Sequence, residues 1–376
     1  KRKRTDSYSE MRKKQREDVE VARIQVELSQ IQDYLNDPED IPLTKKLVTD
    51  LMRLQSKLSP REDVQLFLKA RIHHVLGEVY DRAITTTRSI AEATTQYRLA
   101  LEKFEQVIAD DSMEPETTKI CHSKMLEINF RLALIERGNQ NFDAAAKLLK
   151  AIIDQDEPEG SETILKLKAQ AEYTLNLMYY QKKVHGRTLN VITEKWNTLA
   201  ANLYLDAPKR IASMLLVAQL CCFEGATLFT REQIKGTLEE LAYSHTYPPI
   251  SLANLRNLLT KIYLDEGTRE SLNKALTLTF LTIENDDIPN THVTKLNAHL
   301  LHVQLCHSGY DMDRSYRDSL IFISNFKEMP RQSIYGRFHL AEYYLSKNRV
   351  KRAGILFQEV INSIYANVDM RQEANR

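Results

Sequence analysis

The sequence predicts an all-α protein, a right-handed α-solenoid of stacked antiparallel helix pairs that follows an N-terminal helical hairpin. Three observations support this fold class. Gly and Pro each number only 10 of 376 residues, which leaves little room for short strands joined by tight turns. Apolar residues recur at helical spacing. Leucines then repeat with a period of about 42 residues through most of the chain.

The first 15 residues predict a basic flexible tail. Residues 1–16 hold eight Lys or Arg against Asp6 and Glu10, whereas the remaining 360 residues carry a net charge of −5. A terminal run of this kind is a frayed, solvated segment or, in the sharper interpretation, a nuclear-import or anionic-surface patch. Nucleic-acid binding needs a basic face, so none is expected except through residues 1–16.

Residues 16–60 predict the hairpin. Five apolar residues share one helical stripe before Asn36 and Pro38: Val21, Ile24, Leu28, Ile31 and Leu35. A second stripe follows Pro42: Leu43, Leu47, Leu51, Leu54 and Leu58. Two heptads are too short for a freestanding coiled coil, so the two helices are expected to pack against each other.

The clearest repeat lies near the end of the chain. Leu340-Ala341, Tyr344, Ala353, Phe357 and Val360 give the pattern L-A-x2-Y-x8-A-x3-F-x2-V. Small residues let two helices approach closely, and large residues fill the gap to the next pair. Related copies contain Leu132, Ala133, Ala145, Leu149 and Ile152, and then Leu76, Gly77, Tyr80, Ala100, Phe104 and Val107. The pattern resembles the tetratricopeptide repeat (TPR), which implies stacked two-helix units.

The period extends through the middle of residues 61–376, where about seven helix pairs are expected. Counterparts of Leu132 occur at Leu175, Leu216, Leu258, Leu300 and Leu340, at steps of 40 to 43 residues. Asn176, Leu259 and Leu301 replace the small residue that should follow the leucine. A HEAT-like array, with a period of roughly 40–47, is therefore the structural alternative.

Residues with catalytic or metal-binding chemistry are sparse. The sequence contains no phosphate-binding glycine loop, no GxSxG and no HExxH. His299, His302 and Cys306 suggest a metal site, but helix positions seven apart are too distant for one ion, and packed helix residues explain them better. We expect no enzyme activity, cofactor, metal or small-molecule substrate. Four cysteines without a CxxC motif suggest an intracellular protein, cytoplasmic or nuclear, and no apolar run predicts a membrane span.

The first helices of successive pairs line the inner surface of such an array. Offsets from the repeating leucine predict partner-binding residues there: His74, Glu78, Phe130, Arg131, Arg137, Tyr173, Tyr180, Phe338, His339 and Glu342. Aromatic and arginine side chains are typical of protein contacts. The sequence therefore predicts a protein–protein interaction scaffold or adaptor that binds a peptide or protein segment in a concave groove. The alternative is a peptide- or ligand-gated regulator whose N-terminal hairpin is the output element. Partner identity and oligomeric state stay open.

Overall fold

The computed structural model describes residues 19–32, 35, 44–58, 63–82, 87–110, 113–155, 161–181, 189–244, 247–308 and 313–375. These residues form α-helices with short links, and none of them lies in a β-strand. The all-α prediction is confirmed. The chain divides into two compact units, residues 1–183 and 184–376. The predicted basic tail, residues 1–15, lies outside the described residues.

The first unit contains seven described helices. They are α1 (residues 19–32), α2 (Thr44–Lys57), α3 (Asp63–Arg82), α4 (Thr87–Ile108), α5 (Pro115–Gly138), α6 (Phe142–Ile153) and α7 (Glu162–Gln181).

The N-terminal hairpin packs on the first repeat. Glu20 pairs with Lys57 at 3.1 Å and Glu27 with Arg53 at 3.3 Å, so α1 and α2 run antiparallel. Apolar residues of both helices form one core with α3: Ile24, Leu28, Leu51, Leu54, Leu68 and Leu76 are members of this cluster. Among the described residues, the predicted apolar stripes therefore bury against α3 as well as against each other.

Close helix approach in this unit depends on small residues. Tyr97 on α4 is fully buried against Gly77 on α3, where an added Cβ would lie 2.5 Å from the tyrosine ring. Ala133 and Ala145 are fully buried between α5 and α6, beside Leu149. Full burial of a leucine side chain stabilises the folded state by roughly 1.5–3 kcal/mol. The small–large pattern of the sequence thus corresponds to real packing.

The second unit contains ten described helices. They are α8 (Leu189–Ala201), α9 (Ala207–Phe223), α10 (Arg231–Ala242), α11 (Pro249–Glu266), α12 (Arg269–Ile283), α13 (Val293–His307), α14 (Asp313–Ser324), α15 (Pro330–Ser346), α16 (Val350–Asn362) and α17 (Val368–Asn375).

Neighbouring helices of the second unit pack in sequence order, and α11 also contacts α9 and α13. Local signals set their ends. Thr230 and Gln233 form a capping box at the start of α10. Gly267 ends α11 in the left-handed region, with φ 63°, which glycine adopts without steric cost. α14 and α15 approach closely at Gly336, where an added Cβ would lie 2.7 Å from the backbone nitrogen of Ser324.

Buried polar side chains link successive helices of the second unit. Arg256 on α11 donates to the carbonyls of Ala242 and Leu281, at 2.9 and 3.5 Å. Asn257 donates to the carbonyl of Thr294 at 2.9 Å, and this hydrogen bond joins α11 to α13. Hydrogen bonds to backbone carbonyls satisfy groups whose burial would otherwise be costly.

The repeating leucines fall on alternate helices. Leu76, Leu132, Leu175, Leu216, Leu258, Leu300 and Leu340 lie on α3, α5, α7, α9, α11, α13 and α15. Five of the seven are buried, whereas Leu216 and Leu300 are half-buried. A period of two helices is what a TPR-like array requires, and both units are built in this way. None of the described helices is long and apolar enough to cross a membrane.

Candidate functional site

The predicted site residues separate into two groups, one in each unit. Seven of them lie on α3, α5 and α7 of the first unit, and Phe338, His339 and Glu342 lie on α15 of the second.

Charged side chains of α3 and α5 come together in the first unit. Nε2 of His74 lies 3.7 Å from Oε1 of Glu78 on the same helix face. Asp81 is one further turn along and accepts a hydrogen bond of 3.4 Å from the Tyr97 hydroxyl. The exposed guanidinium of Arg131, on α5, acts electrostatically on all three of these α3 residues. We call Glu78, Asp81 and Arg131 the acid–arginine patch.

Burial shifts the pKa values of the three titratable side chains of α3 at this patch. Desolvation raises the pKa of Glu78 and of Asp81, and the Arg131 charge opposes both shifts. Desolvation also lowers the pKa of His74 to about 3, with further lowering from Lys124, Arg131 and Arg71. His74 is therefore neutral near pH 7. Since the His74 side chain is only 2% exposed, it contacts Glu78 from the interior of the protein and is not accessible to a partner.

Arg131 is the most accessible member of the patch. Among the described residues none forms an ion pair or hydrogen bond with its guanidinium, whereas nearby Lys124 pairs with Glu127 at 2.7 Å. A free guanidinium beside two half-desolvated carboxylates can donate to a backbone carbonyl or carboxylate while the acids accept from amides. The patch can thus bind polar groups but holds no nucleophile–base arrangement among these residues.

The other predicted residues of the first unit lie on α5 and α7. Phe130 is half-buried and packs against the core around Leu126 and Leu149. Arg137 donates to Oε1 of Gln181 at 3.3 Å, which links the ends of α5 and α7. Tyr173 and Tyr180 are half-buried on α7, so each retains a partly accessible face.

The group in the second unit is partly internal. Phe338 is 4% exposed and packs edge-to-face on Phe357, with ring centroids 6.0 Å apart, so it belongs to the core. His339 and Glu342 are more accessible, and Nδ1 of His339 lies 2.7 Å from Oε2 of Glu342. Tyr335, which sequence reasoning missed, lies 4.3 Å from the His339 ring. Its position one turn before His339 is the signal that would have found it.

His299 and His302 of α13 are packing residues. His299 stacks on Phe322, with centroids 3.9 Å apart, and its Nδ1 is 3.0 Å from the Ser319 hydroxyl. His302 packs 5.0 Å from Phe280 and lies 3.7 Å from the Cys306 sulfur. Within the described ranges no three His, Cys, Asp or Glu residues are arranged to hold a metal ion.

Comparison with known proteins finds distant likeness only. No family model matches the chain, and no curated protein matches it. The crystal structure of yeast Tom70 superposes with a TM-score of 0.40 and 12% identity, over 95% of this chain and 78% of that one. A monomeric mutant of IFIT1 with m7Gppp-AAAA gives a TM-score of 0.31 and 14% identity, over 92% of this chain and 81% of that one. In the described residues, the placement of the repeating leucines on alternate helices defines an all-α helical-repeat fold that resembles the TPR.

Proposed function

We propose that the protein is a non-catalytic scaffold or adaptor that holds a peptide or protein segment against the alternate helices α3, α5 and α7. The acid–arginine patch carries this proposal. It combines the exposed guanidinium of Arg131, with which no described residue forms an ion pair or hydrogen bond, with two partly desolvated carboxylates that lie 3.4 Å or more from their described hydrogen-bonding neighbours. Such groups gain more from a partner than a fully paired surface would, because their own contacts are long.

The half-buried aromatic residues of α7 complete the surface. Tyr173 and Tyr180 offer an apolar ring face with a polar tip, which suits them to peptide contact. Arg137, already hydrogen-bonded to Gln181, serves this surface mainly by holding the ends of α5 and α7 together. The proposed partner therefore contacts Arg131 and the tyrosines and leaves His74 covered.

A peptide array probed with the purified full chain tests the proposal. Arg131→Glu and Tyr173→Ala should each weaken the peptides bound by the wild type, with a loss of about tenfold or more for the charge reversal. The control is Lys147→Glu, an exposed residue in the middle of α6. If both site variants fold normally and bind the same peptides with unchanged affinity, the surface assignment is wrong.

A ligand-gated regulator is the second candidate, and specific contacts favour it. Arg71 on α3 donates to Gln32 on α1 at 2.6 Å. His73 on α3 lies 3.0 Å from Gln55 on α2 and 2.7 Å from Gln96 on α4. The helix that presents Glu78 thus also holds the N-terminal hairpin, so a ligand on the patch has a physical route to it.

Solution scattering separates this candidate from a passive scaffold. Measurements with and without an array-selected peptide should show a change in shape if the hairpin is the output element. Gln32→Ala should reduce that change while leaving peptide affinity intact, because Gln32 does not belong to the patch. An unchanged scattering curve at saturating peptide rejects the gated mechanism and leaves the scaffold.

A further inference from the structure

A groove lies along the links between helices of the second unit. Two cavities, of about 730 and 310 Å³, share Tyr365 as a lining residue. The larger is lined by Leu300 of α13, the first turns of α15, residues 364–367 and Met370. The smaller lies between the α14–α15 link and Ser363. We call the two cavities the loop-edge groove. It is made of other elements than the acid–arginine patch.

The groove has an exposed apolar rim. Ile364 is 82% exposed and the adjacent Tyr365 is 49% exposed, although both follow the regular helix α16. Leu300, Ile334 and Met370 supply further apolar wall. Contiguous exposed apolar side chains rimmed by polar ones mark interaction sites more often than isolated ones do. Burial of Ile364 and Tyr365 under a partner would remove this apolar surface from water.

Charge gives the groove its chemical preference. Three cations line it, Lys327, Arg331 and Arg337, and the described lining of these two cavities includes no Asp or Glu, whereas a third cavity that shares Lys327 is also lined by Asp318 and Glu328. Arg337 is neutralised by Glu359 at 3.2 Å. Lys327 and Arg331 are exposed, and no described residue pairs with either of them. Low-dielectric walls around unpaired cations concentrate a positive potential, which attracts carboxylates.

The two free cations belong to different cavities. Lys327 lines the smaller cavity and Arg331 the larger, with Tyr365 between them. A small carboxylate can engage only one of them at a time. A chain that carries acidic residues on both sides of an apolar residue can engage both cations and cover Tyr365. Its residues advance about 3.3 Å each when extended, which suits a row of neighbouring cavities.

We propose that the loop-edge groove binds an extended acidic peptide segment of a partner protein. An apolar side chain of the peptide enters the larger cavity, whose volume lies in the range of ligand pockets. Flanking carboxylates pair with Arg331 and Lys327. The hydroxyl of Tyr335 and the amide of Gln332, both on the lining, hydrogen-bond the peptide backbone.

Selection from a phage-displayed library of random ten-residue peptides tests this site, with the purified full chain as target. Selected peptides should be enriched in Asp or Glu next to Leu, Ile or Phe. Fluorescence anisotropy with the synthetic peptides should show at least about tenfold weaker binding to the Lys327→Glu/Arg331→Glu double variant. The milder Arg331→Gln and Tyr365→Ala should each weaken binding as well, with circular dichroism confirming that every variant folds.

Controls separate this proposal from the function of the first unit. Lys351→Glu, an exposed change on α16 outside both cavities, and Arg131→Glu in the first unit should leave the affinity of these peptides unchanged. The proposal is overturned if no acidic enrichment occurs, or if the double variant binds the peptides as tightly as the wild type. Octanoate that competes as strongly as the peptide also overturns it, because a small carboxylate is then the ligand.

Discussion

Replacement of Gly336 by alanine tests the close contact between α14 and α15. The new Cβ would lie 2.7 Å from the Ser324 backbone nitrogen and 2.7 Å from Cγ2 of Ile323, well inside the usual separation of about 3.5–4 Å. A side chain can rotate away, but the backbone of Ser324 cannot, so the two helices must separate. Overpacking of this kind costs about 1–3 kcal/mol, whereas alanine improves on glycine within a helix by about 1 kcal/mol. The two terms together give a net destabilisation of up to about 2 kcal/mol.

Two matched glycines supply the control for this substitution. Gly236 on α10 and Gly354 on α16 have no atom within 4 Å of a new Cβ, so their alanine variants should gain up to about 1 kcal/mol. Urea unfolding is followed through Trp196, the single tryptophan of the chain, which is fully buried in the same unit. A Gly336→Ala protein as stable as Gly354→Ala would refute the argument that backbone contact sets this helix spacing.

Three further stability predictions follow from buried groups. Burial lowers the pKa of His299 to about 3 and also lowers the pKa of His302, so the unfolded chain takes up protons first below about pH 6.5. Between pH 6.5 and 5.5 stability should fall by up to about 1.4 kcal/mol per pH unit for His299, with a further loss in the same direction from His302. Equal urea midpoints at pH 7.5 and 5.5 would contradict this. Lys295→Met strands the carbonyls of Asn285 and Ile288 and should cost about 1–3 kcal/mol by Trp196 fluorescence; no loss would show that water replaces the ammonium. Leu149→Ala should cost about 2–5 kcal/mol in thermal unfolding followed by far-ultraviolet circular dichroism, and a loss below 1 kcal/mol would mean that the core closes over the cavity.

The repeat period could be predicted because burial imposes it. Repeating leucines such as Leu132 and Leu258 are buried on every second helix. The number of residues between successive leucines therefore equals the length of two helices with their links. The middle copies are faint in the sequence for a physical reason. Arg256 and Asn257 take buried places there, because they bond carbonyls 14 to 37 residues away in the chain. No local sequence pattern predicts hydrogen-bond partners that are so distant in the chain.

The sequence offsets determine which helices carry the predicted site residues. Offsets from Leu76 and Leu132 place Glu78 and Arg131 on the alternate helices α3 and α5, where the Arg131 charge lowers the pKa of Glu78 against the effect of burial. The same offsets determine which face of a helix a residue lies on, but not how deeply its side chain is buried. His74 is covered because Tyr97 of α4 packs beside it, with centroids 6.2 Å apart, and Phe338 is covered by Phe357. The loop-edge groove was missed entirely, since residues 363–367 carry no helical periodicity.

The buried side-chain hydrogen bonds of α11 determine where this chain can be truncated without unfolding. Because Asn257 bonds Thr294, past the whole of α12, a C-terminal truncation that removes α13 leaves a buried amide with no acceptor. Arg256 would likewise lose an acceptor at Leu281 if the cut fell before the end of α12. Deletion fragments ending in this region would fail by unfolding, so lost binding in such fragments would not locate a binding site. Point substitutions on exposed positions are the sound way to map its partners.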